Sequence, residues 1–149
     1  MENPEVNLLD CADLINHNVD VHEIISLVEK TFRIKFLINI VCISAIKMSE
    51  LNGQYRQKYR KTNVLSFHYE ENDQQITGEV YFCPEVIQHE AAEANITVCA
   101  HYQHLLVHAL LHLIGYDHIK AEERELMESE EIKLLSIIGV NNPYEKLDK

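Results

Sequence analysis

Nine histidines punctuate the 149-residue chain, and three of them are spaced to share one ion: His108, His112 and His118 in the run VHALLHLIGYDH. Residues four apart on a helix lie on one face, with Cβ atoms about 5–6 Å apart. His108 and His112 can therefore both reach a cation at about 2.0–2.1 Å. Gly115 is placed to end that helix in a left-handed conformation, so that His118 approaches the same point from the following loop. Three neutral nitrogen ligands that leave one position to water make a catalytic zinc pattern, whereas four closed ligands would be structural. The bland alternative is two core histidines bonded to backbone and a third on a loop.

From Leu105 to Ile114 every position except His108 and His112 is apolar. A helix that is apolar all round is buried, and a buried imidazole without a partner costs about 1–3 kcal/mol. Each histidine must bond or ligate something. The metallopeptidase motif HExxH would put a glutamate after the first histidine as general base; Ala109 stands there instead. His104 and His101 lie one and two turns earlier on the same face, as a fourth ligand, a cleft-lining group or an ordinary surface imidazole. Asp117 either orients a ligand histidine through its second ring nitrogen or caps the next helix. His17, His22, His68 and His89 have no ligand spacing and read as surface residues.

The elements that must position these residues follow from periodicity and punctuation. Glu5 to Leu9 reads as a short strand, and Val21 to Phe32 as a helix with Ile24, Ile25, Val28 and Phe32 inward. Leu37 to Ser44, Asn63 to Tyr69 and Ile76 to Phe82 read as strands, the last two joined by the polar EENDQQ as a hairpin or near neighbours. Ser49 to Lys58 reads as helical. Pro84 opens a helix through Asn95; a second runs from about Thr97 to Ile114. A third, from about Ala121 to Ile138, carries Leu126, Met127, Leu134, Leu135 and Ile138 inward and stops at Gly139. Strands followed by helices predict an α+β fold: a small mixed β-sheet covered by helices. The length suits one domain, residues 1–149, with a single core.

Composition narrows the function. The net charge of −11 argues against a generic nucleic-acid binder. The charges are uneven, however. Arg56, Lys58, Arg60 and Lys61 supply four of the thirteen basic residues within RQKYRK, and acid concentrates in AEERELMESEE. Such a bipolar molecule can meet a polyanion with one face; a solvated helix end is the plainer reading. Cys11, Cys42, Cys83 and Cys99 form no CxxC pair, which excludes the usual thiolate zinc or dithiol motif and fits a reducing compartment. The opening residues MENPEVNLLD lack a signal pattern, and FLINIVCISAI is too short and polar to span a bilayer. A cytoplasmic protein with no membrane partner is expected.

The stretch HLLVHALLHLIGYDH followed by EERELMESEE resembles the signature of the YbeY family of bacterial metal-dependent endoribonucleases. LNGQYRQKYRKTNVLSF resembles that family's second motif and IIGVNNPY its C-terminal end, so the likeness covers Leu51 to Tyr144. The resemblance implies His108, His112 and His118 as metal ligands, one Zn²⁺ per chain, and Arg56 with His108 as the catalytic residues. It also implies a metal cleft formed by a helix and the following loop. The implied activity is cleavage of single-stranded RNA in maturation of the small-subunit (16S) ribosomal RNA 3′ end and in ribosome quality control. The implied partners are ribosomal RNA and the small ribosomal subunit or its assembly proteins. Two positions depart from the family pattern: Ala109 replaces a glycine, and Glu79 after Gly78 replaces an aspartate.

Zinc can lower the pKa of water towards about 7 and polarise a phosphoryl oxygen. Arg56 can stabilise charge building on the non-bridging oxygens with its planar donors. Lys58, Arg60 and Lys61 would hold the backbone without reading sequence, and Asn63 and Ser66 are candidates to touch ribose or phosphate. Activated water either attacks phosphorus or removes the ribose 2′-hydroxyl proton. Two rivals stand beside this: a ribosome-assembly binding protein with a structural metal, and a zinc peptidase of unusual motif that lacks its glutamate.

Overall fold

The computed structural model describes residues 4–56, 62–72, 74–117 and 119–145, Arg56 through its backbone only. The elements in chain order are β1 (Glu5–Leu9), α1 (Ala12–Asn16), α2 (Val21–Phe32), β2 (Lys35–Cys42), α3 (Ala45–Arg56), β3 (Val64–Asn72), β4 (Gln75–Phe82), α4 (Pro84–Ala94), α5 (Val98–Ile114) and α6 (Ala121–Ile137). The four strands form one mixed sheet in the order β1-β2-β4-β3. β1 and β4 flank β2 in parallel, and β3 runs antiparallel to β4. The α+β class read from the sequence is the class observed.

Period-two alternation decides which face each strand buries. Phe36, Ile38, Ile40 and Cys42 of β2 and Ile76, Val80 and Phe82 of β4 point into the main core. α5 lies at the centre of that core, against β3, β4, α2, α4 and α6. Eight of its residues are buried, from Tyr102 to Leu113, as a helix apolar on nearly every side requires. α3 covers part of the opposite face of the sheet, where Met48, Leu65 and Cys83 form a smaller core with Leu51, Phe67 and Tyr81 around it.

The ends of α5 are chemically defined. Thr97 caps its start, accepting the Ala100 N–H at 3.0 Å, which satisfies one orphan donor. Gly115 ends it at φ +124°, its N–H donating to the Leu111 and His112 carbonyls. That conformation disfavours any side chain, so the glycine that read as a helix stop does stop it.

Gly78 has a different purpose. A Cβ there would stand 2.5 Å from the Phe67 carbonyl oxygen and 3.1 Å from Leu113 Cδ2. The missing side chain lets α5 settle onto β4 one residue away from His112. Gly78→Ala is expected to cost about 1–3 kcal/mol by overpacking, a fall of roughly 2–12 °C in thermal midpoint at this size, measurable by circular dichroism.

Candidate metal centre and its cleft

His101, His104, His108 and His112 follow one another at three- and four-residue steps, so they form a file along one face of α5. Successive ring centroids are 6.3, 6.3 and 4.6 Å apart. The file does two jobs. His101 Nε2 lies 2.9 Å from Glu90 Oε1 on α4, an oxygen that also accepts the Asn63 amide at 2.9 Å. That contact ties α4 to α5. The remaining rings face a cleft of about 830 Å³, between α5 and a wall made by Asn52 of α3 and residues 62–66.

His108 and His112 meet in that cleft with their Nε2 atoms 3.2 Å apart. His108 turns its other nitrogen, Nδ1, to Glu131 Oε1 of α6 in a direct hydrogen bond. Since an ionised carboxylate only accepts, the proton belongs on Nδ1 and the Nε2 lone pair faces His112. In a tetrahedral site with bonds of about 2.0–2.1 Å, neighbouring ligand atoms stand about 3.3–3.4 Å apart. The observed Nε2 separation therefore fits two imidazoles aimed at one ion. Gly115, Tyr116 and Asp117 continue along the same cleft. His118, the third ligand expected, lies outside the described residues, as do Lys58, Arg60 and Lys61.

Glu131 is fully buried, and among the described residues it is the one buried charged side chain. Besides His108 it meets the Tyr144 hydroxyl in a direct hydrogen bond and lies 3.3 Å from His104 Nε2. Burial alone would raise its carboxyl pKa; the hydrogen bonds with His104, His108 and Tyr144 outweigh that and hold it at about 2. Tyr144 in turn is pushed well above the usual phenol range, by burial first and then by the bond to Glu131. Its hydroxyl is also 3.1 Å from His104 Nε2. Donor atoms of His104, His108 and Glu131 all fall within 4.8 Å of one another, so these three make a candidate metal-holding group.

Neither Glu131 nor Tyr144 was expected from the sequence. The signal for Glu131 was available: it falls at a helical step from Met127, Leu134 and Leu135, the buried stripe of α6, where a glutamate must have partners. Leu126, expected inward, is 64% exposed, because the stripe lies one position further on. Nothing in the spacing of NNPY announces Tyr144.

The other expected residues fall as follows. Asn63 and Ser66 line the cleft opposite the histidines. Arg56 closes α3 one turn beyond Asn52, which is 4% exposed and also lines the cleft. Ala109 is buried against the same space. Glu79 is elsewhere: it stands on the opposite sheet face, accepting hydroxyls of Tyr69 at 2.5 Å and Tyr81 at 2.9 Å. Its longer arm therefore does not alter the cleft.

A family model described as "Endoribonuclease YbeY" matches residues 6–139. The chain is 39% identical over 114 residues to Endoribonuclease YbeY of Francisella philomiragia, covering 72% of each protein. To Endoribonuclease YbeY of Francisella tularensis subsp. holarctica it is 38% identical over 116 residues, 72% of this chain and 70% of the relative. The solution structure of TM1509 from Thermotoga maritima superposes with a TM-score of 0.56 at 26% identity, over 96% of this chain and 97% of that one.

Proposed function

The chain belongs to the YbeY endoribonuclease family, and from that premise we propose that it is a metal-dependent endoribonuclease that cleaves single-stranded RNA. Its cation is zinc, one per chain, held by His108, His112 and His118. Its task is maturation of the small-subunit ribosomal RNA 3′ end and ribosome quality control in the cytoplasm. The observation that carries this reading is the His108–His112 pair, two nitrogens 3.2 Å apart at the floor of an open cleft. No helix among the described residues is long and apolar enough to cross a membrane.

The cation, when bound, supplies activation of water and polarisation of a phosphoryl oxygen. The protein supplies the rest. Glu131 accepts the His108 Nδ1–H hydrogen bond and so keeps Nε2 turned to the cleft. Arg56 reaches the scissile phosphate and offsets the charge that builds on its non-bridging oxygens. Lys58, Arg60 and Lys61 hold the flanking backbone, a contact that is sequence-independent and salt-sensitive. Asn63 and Ser66 border the path of the strand; the Asn63 amide donates to Glu90, leaving its carbonyl to ribose hydroxyls. The acidic helix α6, with Glu122 and Glu125 outward, suits a basic protein of the small subunit or its assembly.

Metal content per chain, with cleavage of a single-stranded RNA before and after chelation, tests this reading. Chelation should lower cleavage at least about 100-fold, and one equivalent of Zn²⁺ should restore it. Full cleavage by metal-free chain would refute the proposal. A 2′,3′-cyclic phosphate on the product would assign attack to the ribose 2′-hydroxyl; a 5′-phosphate with a free 3′-hydroxyl would assign it to water.

A further inference from the structure

We propose that Glu131 is a positioning residue for the metal rather than a ligand: it fixes the tautomer and ring orientation of His108, and Tyr144 holds it in place. The inference rests on the metal-dependent reading above and adds a second layer to it, drawn from α6 and the chain that follows.

Two arrangements are open to the His104–His108–Glu131 group. In one, a cation sits among His104 Nε2, His108 Nδ1 and a Glu131 oxygen. In the other, Glu131 accepts from His108 Nδ1, and the cation meets His108 at Nε2. Donor atoms sharing a tetrahedral ion stand about 3.3–3.4 Å apart, but His108 Nδ1 and Glu131 Oε1 are in direct hydrogen-bond contact. The first arrangement would have to break that bond and would leave His108 with a proton on Nε2, where it could not join His112 Nε2, 3.2 Å away, in holding an ion. The second keeps the His108–Glu131 bond and uses the 3.2 Å Nε2 pair as two ligand atoms. A carboxylate on the far nitrogen of a ligand histidine is a recurrent device, because it sets the tautomer and raises ligand basicity.

The rest of the network explains how a carboxylate survives complete burial. One Glu131 oxygen takes His108; the other meets both the Tyr144 hydroxyl and His104 Nε2. The Tyr144 ring packs edge-on against His104, with centroids 5.4 Å apart. Tyr144 itself sits in a short turn whose N–H donates to Asn142 Oδ1 at 2.8 Å. The geometry of α5 at the ion is thus set from α6 and residues 142–144 together.

The test compares Glu131→Ala, Glu131→Gln and Tyr144→Phe with the wild-type chain, titrating Zn²⁺ against a chromogenic chelator and recording the visible spectrum of the Co²⁺ form. Glu131→Ala should weaken Zn²⁺ binding about 10–100-fold at unchanged stoichiometry. Glu131→Gln keeps an acceptor for His108 Nδ1–H and can donate to Tyr144 or His104. It should recover most of the affinity and leave the Co²⁺ bands in place. Tyr144→Phe should weaken binding a few-fold; this variant carries the test if Glu131→Ala does not fold. Wild-type affinity in Glu131→Ala, or in Tyr144→Phe, would overturn the corresponding part of the proposal. Co²⁺ bands that shift or collapse in Glu131→Gln would make Glu131 a direct ligand and overturn it entirely. A wild-type chain that binds neither ion would instead refute the metal-dependent reading, and the positioning role with it.

Discussion

His112→Ala should abolish cleavage of single-stranded RNA, with a loss of about 10³-fold or more while the chain stays folded. The size follows from what the ligand set is for. Bringing a water pKa from about 15.7 to about 7 changes its ionised fraction at neutral pH by many powers of ten, so a chain that no longer holds the cation loses nearly all of the rate. The folding side is favourable. His112 is only half-buried and lines the open cleft, and alanine is the best helix former, so the substitution opens a wet space rather than a core cavity. Metal analysis, RNA cleavage and thermal unfolding of the apo chain should be measured together. Retained cleavage with retained zinc would sink the assignment of His112. A chain that unfolds on losing His112, while Arg56→Ala keeps full activity, would favour a structural metal and an RNA-binding factor instead.

The second large effect belongs to Arg56. Arg56→Ala should lower kcat by about 10²–10³-fold, the usual loss on removing one pre-placed donor from developing charge, with zinc content and thermal midpoint unchanged. Arg56→Lys should recover only part of it, since an ammonium keeps the charge but not the planar pair of donors. KM should move less than kcat, because the donor acts on charge that builds in the transition state. Equal kcat in Arg56→Ala and wild type would remove Arg56 from the chemistry. A rise in KM alone, with a shallower salt dependence, would make it another backbone contact.

The order of elements was legible because most of them bury one side. β2 and β4 alternate cleanly between buried and half-buried positions, and α2 shows its stripe at Ile24, Ile25 and Val28. Where burial ends, so did the reading. The hairpin read from the sequence is there, but β3 and β4 run on to Asn72 and back from Gln75, into the polar stretch EENDQQ that reads as the connection between them. Residues 68–72 are exposed, so backbone pairing and surface contacts such as Tyr69 to Glu79 extend the hairpin, and neither leaves a trace in hydrophobic periodicity. The five-residue α1 was too short to show a period. Sheet order was not written locally either, since β2 pairs with β4 across α3 and β3.

The candidate site divides the same way. His108 and His112 were legible because a polar ring in an apolar helix must have a purpose, and their four-residue step converges on one point. Glu131 and Tyr144 reach His104 and His108 across 23 to 40 residues of chain. Such contacts exist only once the helices have docked, and Glu131 looked like one more acid among Glu128 and Glu130.

The seating of α5 has a last consequence. Its histidines ride on a helix whose neighbours Leu106, Leu110 and Leu111 are fully enclosed, contacted from the sheet and from three other helices. Segments so enclosed open only when the whole molecule does, unlike loops that fray by themselves. The pair of imidazoles therefore keeps its spacing up to the melting temperature and then loses it in one step. Heat inactivation becomes a clock for global unfolding, and any ion bound there adds its own affinity to the barrier against that event.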